Sequence, residues 1–381
     1  MNVYERRVWY GGRTDPLTER KQYNVISRSA RFLPAALAAV SIPCSASLAG
    51  CAGGAGTSGG LPAGPSALAR AQSGFAGPAK KKATQTLYVA NRGGGAILGY
   101  PSNANGDTAP TVTITGSNTL LTNPVALAVD ATGTIYAAND SDHQVEIFPP
   151  GSNGNVTPAV LGGSNVPLTA VEGVAVDAKG QIYVSDYRGD QVLVFAAGST
   201  GNTAPIRTIS GPNTGLTEPI GMDFDDRGDL YVANYNSSGV AIVEFSPTAN
   251  GDAAPVGTLG IAGGGGKTTL YEAFNVKIGK NNEIIVGNEA TNAVDIFKKG
   301  AVGNVKPSTV ITGSLTGFST PTTVGLDAKG YIYVTNISFS GSSSTSEVLV
   351  FSPSAKNNVA PVRTLTGSST QLNDAFFPSA F

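Results

Sequence analysis

Ile182-Tyr183-Val184-Ser185-Asp186 decides how this chain is read, because five other stretches repeat its form. They are Leu87-Tyr88-Val89-Ala90-Asn91, Ile135-Tyr136-Ala137-Ala138-Asn139, Leu230-Tyr231-Val232-Ala233-Asn234, Ile284-Ile285-Val286-Gly287-Asn288 and Ile332-Tyr333-Val334-Thr335-Asn336. Each is a short apolar, β-branched or aromatic run that closes on Asn or Asp, the composition of a buried strand running into a turn. Their starts lie 48, 47, 48, 54 and 48 residues apart. A period near 48 residues is the length of one propeller blade.

Working outward, each repeat supplies four strands. An apolar strand comes first, as in Val125 to Asp130, Val174 to Asp177 and Thr323 to Asp327. An Asp-x-x-Gly turn follows, such as Asp177-Ala178-Lys179-Gly180, in which Asp caps the turn and Gly accepts a positive φ. The quoted run is the second strand, and an alternating segment such as Gln191 to Phe195 is the third. A polar turn like Asn250-Gly251-Asp252 leads to a fourth strand that starts at Pro110, Pro158, Pro205, Pro255, Pro307 or Pro361. Proline donates nothing to a ladder and suits an edge, so this strand is expected outermost. The first repeat lacks a first strand, and the chain finishes with Leu372-Asn373-Asp374-Ala375-Phe376-Phe377-Pro378, the opening of a further repeat. The expected fold is therefore all-β: a six-bladed β-propeller of four-stranded blades, closed by a C-terminal strand that completes the first blade.

The propeller is placed at 84–381, behind two segments of other character. Residues 1–50 hold seven Lys/Arg, and Arg28 and Arg31 precede an apolar, Ala/Leu-rich run from Phe32 to Gly50, the layout of a secretory signal. Leu48-Ala49-Gly50-Cys51 resembles the lipobox of bacterial lipoproteins, which implies acylation of Cys51 as the mature N-terminus. Residues 1–24 are longer and more polar than a usual leader start, so translation from near Val25 is an alternative. Residues 51–83 are rich in Gly, Ala, Ser and Pro and are read as a flexible tether. Ala52, rather than Asp, follows the cysteine; by resemblance to proteobacterial lipoproteins that favours the outer membrane or cell surface after export across the inner membrane.

The repeats resemble NHL repeats and, more broadly, the six-bladed propellers that include gluconolactonase-type lactonases. That resemblance covers residues 84–381 and implies a fold rather than an activity, because such rings include both enzymes and binders. Composition narrows the chemistry. After residue 50 the chain carries 18 Lys/Arg against 23 Asp/Glu, a balance unsuited to a phosphate backbone, so no nucleic-acid partner is expected. The cysteines are Cys44 and Cys51 and the histidine is His143, which leaves the repeats without a thiolate or multi-histidine metal site.

Aligning the repeats puts Ala128, Ala175, Asp223, Lys277 and Gly325 in one column and Ala126, Gly173, Gly221, Asn275 and Thr323 in another. Small residues suit a crowded channel. Asp223 and Lys277 break the pattern in adjacent blades and are expected to approach each other; a self-neutralising ion pair and an acid/base pair are the alternatives. Asn275 and Glu172 complete the channel candidates, with Glu218 near the start of an innermost strand. Asp223, Glu172 and Glu272 are candidate oxygen ligands for Ca²⁺ or Mg²⁺. Tyr187, Arg188, Tyr235, Asn236 and Phe339 fall in loops after the second strands and form a candidate binding face. His143 reads as a surface histidine, and Gly263 to Thr269 fails as a P-loop because Ile261 stands where its first Gly is needed.

The expected role is a monomeric, non-enzymatic binding or scaffolding module, lipid-anchored in the envelope and contacting a protein, a glycan or a small molecule. A metal-dependent lactonase-like hydrolase and an extracytoplasmic small-molecule sensor are the alternatives.

Overall fold

The computed structural model describes residues 85–380 apart from 236–239, 262–265, 271–272 and 341–342; at 339, 340 and 343 only the backbone is considered. The signal region, Cys51 and the tether therefore lie outside the described residues, as do Asn236 and Glu272.

Six four-stranded antiparallel sheets form a six-bladed β-propeller. The innermost strands of the second to sixth blades are Pro124–Val129, Val171–Val176, Pro219–Phe224, Ala273–Ile278 and Pro321–Leu326. The second strands of those blades are Ile135–Asn139, Ile182–Asp186, Leu230–Asn234, Ile284–Asn288 and Ile332–Ser340. The first blade takes its innermost strand, Ala375–Ala380, from the C-terminus and pairs it with Thr86–Asn91. Its outer strands are Ala96–Pro101 and Val112–Ile114.

The core lies between neighbouring blades. Val192, Val194 and Ile209 of the third blade pack on Met222, Val232 and Phe245 of the fourth. At the closure, Leu87, Leu98 and Tyr100 of the first blade pack on Tyr333, Val348, Val350 and Leu365 of the sixth. The third strands of the later blades end on Phe148, Phe195, Phe245, Phe297 and Phe351, all fully buried. Tyr100 takes that place in the first blade, and its hydroxyl donates to the Thr370 carbonyl at 2.5 Å. Burying each such side chain stabilises the ring by about 1.5–3 kcal/mol.

The Asn or Asp that ends each repeated run works as a staple. Its side chain turns back on the segment leading into the innermost strand of the same blade. Asn139 Oδ1 accepts from the N–H groups of Thr122 and Asn123, at 3.3 and 2.7 Å, while Nδ2 donates to the Leu120 carbonyl. Asp186 accepts from Thr169 and Ala170, and Asn336 from Ser319 and Thr320. Asn91 makes the same bond to Asn373, tying the C-terminal segment to the first blade. Asp130, Asp177, Asp225 and Asp327 cap the Asp-x-x-Gly turns through backbone N–H groups two and four residues on.

Two expectations about the outer strand need correction. The strand begins one or two residues after its proline, for example at Arg207 after Pro205, although the residue between them, Ile206, already donates to Val194 of the third strand. Nor is the strand a bare edge. The turn before each fourth strand reaches back to the preceding blade, giving parallel bridges Ile114–Gly154, Leu161–Gly201, Ile209–Gly251, Leu259–Gly303, Ile311–Asn357 and Leu365–Gly106. Asn155, Asn202, Asp252, Asn304, Asn358 and Asp107 in those turns each accept a backbone N–H from the segment that leaves the preceding blade. Single-repeat reading sees only a polar turn there, since the partner lies in another repeat.

Asn336→Ala removes the acceptor of the Ser319 and Thr320 N–H groups together with the donor to the Gly317 carbonyl and Glu347, and we expect a loss of about 1–3 kcal/mol in denaturant unfolding. Asn358→Ala, at an exposed turn, is expected to cost less than about 1 kcal/mol. Equal losses at the two positions would contradict the ranking.

Candidate functional site

The innermost strands start in a common register, in which Pro124, Val171, Pro219, Ala273, Pro321 and Ala375 pair with the staple residues of their second strands. In the second to sixth blades the register slips immediately afterwards, a β-bulge that re-aims the next side chain. In the first blade the slip comes one residue later, after Phe376. The second residues form a ring of equivalents: Val125, Glu172, Ile220, Phe274, Thr322 and Phe376. Five are neutral and one is a carboxylic acid. All six are buried.

Aromatic side chains extend from this ring into the loops after the second strands. Tyr187 and Tyr235 lie 6.3 Å apart between ring centres, Tyr235 meets Phe274 edge-on at 4.8 Å, and Phe274 stacks with Phe376 at 6.4 Å. The Arg92 guanidinium sits 5.9 Å from the centre of the Phe376 ring, within cation–π range. An apolar and aromatic path thus joins the third, fourth, fifth and first blades.

A polar group borders it. Arg92 donates to Asn123 Oδ1 at 2.9 Å and lies 3.6 Å from Asp374. Asn123 donates to Asp140 at 3.4 Å. Burial raises the Asp140 and Asp374 carboxyls, opposed by Arg92 in both cases and by His143 and Arg188 at Asp140. Glu172 is 4% exposed, and burial pushes its carboxyl up to about 8; Asp140 adds to the rise, while Arg92 and Arg188 oppose it. At neutral pH Glu172 holds a proton and can donate one. Burial, then Glu218, raises the Tyr187 hydroxyl, which stays protonated.

The other sequence candidates fall elsewhere. Asp223 and Lys277, the fifth residues of their strands, place Oδ1 and Nζ 3.9 Å apart, both half-buried. Asp223 Oδ2 also accepts the Ile278 N–H at 2.8 Å, so both carboxylate oxygens face donors of this chain. Asp223 and Glu172 stand at opposite ends of their strands. Asn275 is fully buried; its Oδ1 accepts from the Val324 N–H at 3.4 Å while Nδ2 has no partner. The aligned small residues serve inter-strand packing, since a Cβ at Gly173 or Gly325 would collide with the carbonyl of Ile220 or Pro378. Among the described residues, the acidic trio close enough to share an ion is Asp225, Asp229 and Glu244. Arg227 already lies among them, 3.0, 2.6 and 3.1 Å from the three carboxylates. His143 is exposed, in the left-handed residue that ends a 3-10 turn.

Phe274, Phe376, Arg92, Asp140 and Asp374 were not singled out from the sequence. The signal was present: in the column after the first residue of each innermost strand, Glu172 is the charged exception.

No protein-family model matches the chain, and no curated protein matches it. Solved structures do. A protein of unknown function from Bacteroides caccae superposes with a TM-score of 0.56 at 10% identity, covering 78% of this chain and 99% of that one. A chain of the nidogen/laminin complex gives 0.54 at 15%, covering 78% and 98%. The WD40 β-propeller domain of Doa1 gives 0.46 at 16%, covering 66% and 71%. At such identities the likeness is one of fold.

The raised carboxyl at Glu172 has a stability consequence. The unfolded chain loses this proton near the ordinary glutamate range, whereas the folded chain keeps it to about 8. Stability is therefore fully present at low pH and lost as pH rises through that window, by up to about 1.4 kcal/mol per pH unit. Glu146, buried and also raised to about 8 by burial, adds to the same trend. We expect the parent Tm to fall from about pH 5 to about pH 8, more shallowly in Glu172→Gln and more shallowly still with Glu146→Gln added. A slope unchanged by both substitutions would refute the assignment.

Proposed function

We propose that this propeller is a binding or scaffolding module of the cell envelope, exported and anchored through an acylated Cys51, that holds a protein or glycan partner over the mouth. The observation that carries this reading is the pair of partly exposed rings Tyr187 and Tyr235, backed by the buried Phe274 and Phe376 and bordered by Arg92 and Arg188. Rigid aromatic surface with adjacent guanidinium groups is the composition that dominates recognition sites, because it offers large contact area at little conformational cost. Asn236, next to Tyr235 in sequence, belongs to the same proposed face. Protein binding by rings of this fold is supported in general by the nidogen/laminin complex. The anchor rests on Leu48-Ala49-Gly50-Cys51 and the Gly/Ala/Ser/Pro stretch behind it.

One observation favours a second reading. A buried carboxyl held near 8 is suited to proton transfer at neutral pH. This supports a lactonase-like hydrolase, with Glu172 as general acid/base and Ca²⁺ or Mg²⁺ held by Glu272; Asp223, bonded to Lys277 and the Ile278 N–H at the other end of its strand, is not part of that site. A sensor that binds a small molecule at the same mouth needs the proton-bearing Glu172 as a donor but no metal.

Three measurements separate these readings. A photo-crosslinking residue at position 187 or 235 is expected to give a discrete adduct in intact cells, while one at position 179, on the opposite face, gives none; adducts from neither mouth position would refute the binding face. Labelling with an alkyne fatty acid is expected to mark the parent and not Cys51→Ser. For the hydrolase, Ca²⁺ or Mg²⁺ must raise the unfolding midpoint over EDTA with rising concentration, and the rise must vanish in Glu272→Gln.

A further inference from the structure

Between the fifth and sixth blades, on the face away from the mouth, lies a groove of about 670 Å³. Its walls are the turns between first and second strands of the two blades, around Lys280 and Lys329, and the turns after their third strands, at Lys298 and Lys356. Its floor is apolar, with Ile278, Ile285, Ile296, Leu326, Ile332 and Ala355.

The charge of this groove runs against that of the molecule. Residues 85–381 hold 23 acidic and 14 basic side chains, yet four of their nine lysines line this one groove. All four are exposed, and none is ion-paired among the described residues. The two carboxylates in the lining are turned to other work. Asp327 accepts the N–H groups of Lys329 and Tyr331, and Glu283 accepts from Asn281. What remains is a net positive rim over an apolar floor, complementary to an anion that carries hydrocarbon.

A second, independent observation concerns where the chain enters the ring. Second strands begin on the face that carries the Asp-x-x-Gly turns, and in the first blade that strand starts at Thr86. Gln85, just before it, accepts the Ser102 N–H at 2.7 Å. The Ser102 carbonyl in turn accepts from Tyr333 and Arg363 of the sixth blade. The chain that arrives from Cys51 therefore joins the propeller on the groove's own face, beside one of the two blades that form it.

We propose that the groove seats the phosphate headgroup of an anionic membrane lipid, so that this face lies on the bilayer and the mouth points away from it. The choice of a lipid rather than a soluble phosphate rests on the envelope reading above; the rim and floor themselves require only an anionic amphiphile. Lysines near an anionic surface each add to partitioning, and the effect is screened by salt.

The test uses the full chain with Cys51→Ser, so that acylation plays no part, and flotation with vesicles of phosphatidylcholine alone or mixed with phosphatidylglycerol. Lys280→Gln/Lys329→Gln/Lys356→Gln is expected to lower partitioning onto the phosphatidylglycerol vesicles at least about tenfold. Lys179→Gln/Lys267→Gln/Lys306→Gln, which removes the same charge from exposed positions outside the groove, is expected to lower it less than about threefold, Lys179 being on the bilayer face but away from the groove. Equal losses would show net charge at work and overturn the groove, as would no loss in the first triple. Displacement by soluble glycerophosphate at low salt would overturn the lipid source. Fatty-acid labelling at Cys51 is scored separately, so a chain that is acylated but indifferent to the groove lysines keeps its anchor and loses this assignment.

Discussion

The ring depends on one repeated interaction, the side chain of the Asn or Asp that ends the second strand turning back on the segment that enters the blade: Asn91, Asn139, Asp186, Asn234 and Asn336 accept backbone N–H groups there, and Asn288 donates to the Thr269 carbonyl. The chain must cross from the rim of one blade to the innermost strand of the next. That crossing segment has no ladder partner, and its part-buried N–H groups would each cost up to about 1–3 kcal/mol if left unsatisfied. Asn139, Asp186, Asn234 and Asn336 satisfy them from within the same blade. Asn91 does so for the segment at Asn373, so the bond that orders each crossing also ties the two ends of the molecule together.

The same device fixes where side chains emerge at the mouth. Once the first residue of an innermost strand is held opposite the staple, the strand bulges before settling into the ladder. In five blades the residue at the bulge is turned out of the alternation, and Phe376 of the first blade holds the equivalent position while still paired with Ala90. Five of the six equivalents are neutral, so the sixth, Glu172, sits in a low-dielectric collar that favours its protonated form. Arg92, Arg188 and Asp140 come from loops of three different blades, and their opposing effects set how far that carboxyl is raised.

The two faces divide their chemistry. Loops after the second strands carry the aromatic run and arginines, while the turns on the other face carry lysines over apolar floors. Polar side chains inside the molecule are mostly matched by groups of the chain itself: Asp223 by Lys277 and the Ile278 N–H, and Asp225, Asp229 and Glu244 by Arg227. A charge paired internally holds the ring's shape rather than offering a ligand, which separates these clusters from the mouth and the lysine groove.

Interactions within one repeat were legible in the sequence. The spacing of the Tyr-Val-x-Asn runs determined six blades, the Asp-x-x-Gly turns placed the first hairpins, and Leu372 to Pro378 determined how the ring closes, because each pattern is local and its period is one blade. Tyr187 and Tyr235 were readable for the same reason, as loop residues at a fixed offset from the run. Tertiary structure alone decided what depends on neighbouring blades. The back-reaching turns at Asp107, Asn155 and Asp252 find their partners about 40 residues earlier, or across the closure. Phe274 and Phe376 lie about 100 residues apart and stack because the ring brings the starts of their innermost strands together. The four lysines of the groove are spread from Lys280 to Lys356 and meet because two consecutive blades each contribute a pair of turns. A repeat fixes its own hydrogen bonds, but which side chains from different repeats share a space follows from the curvature of the closed ring.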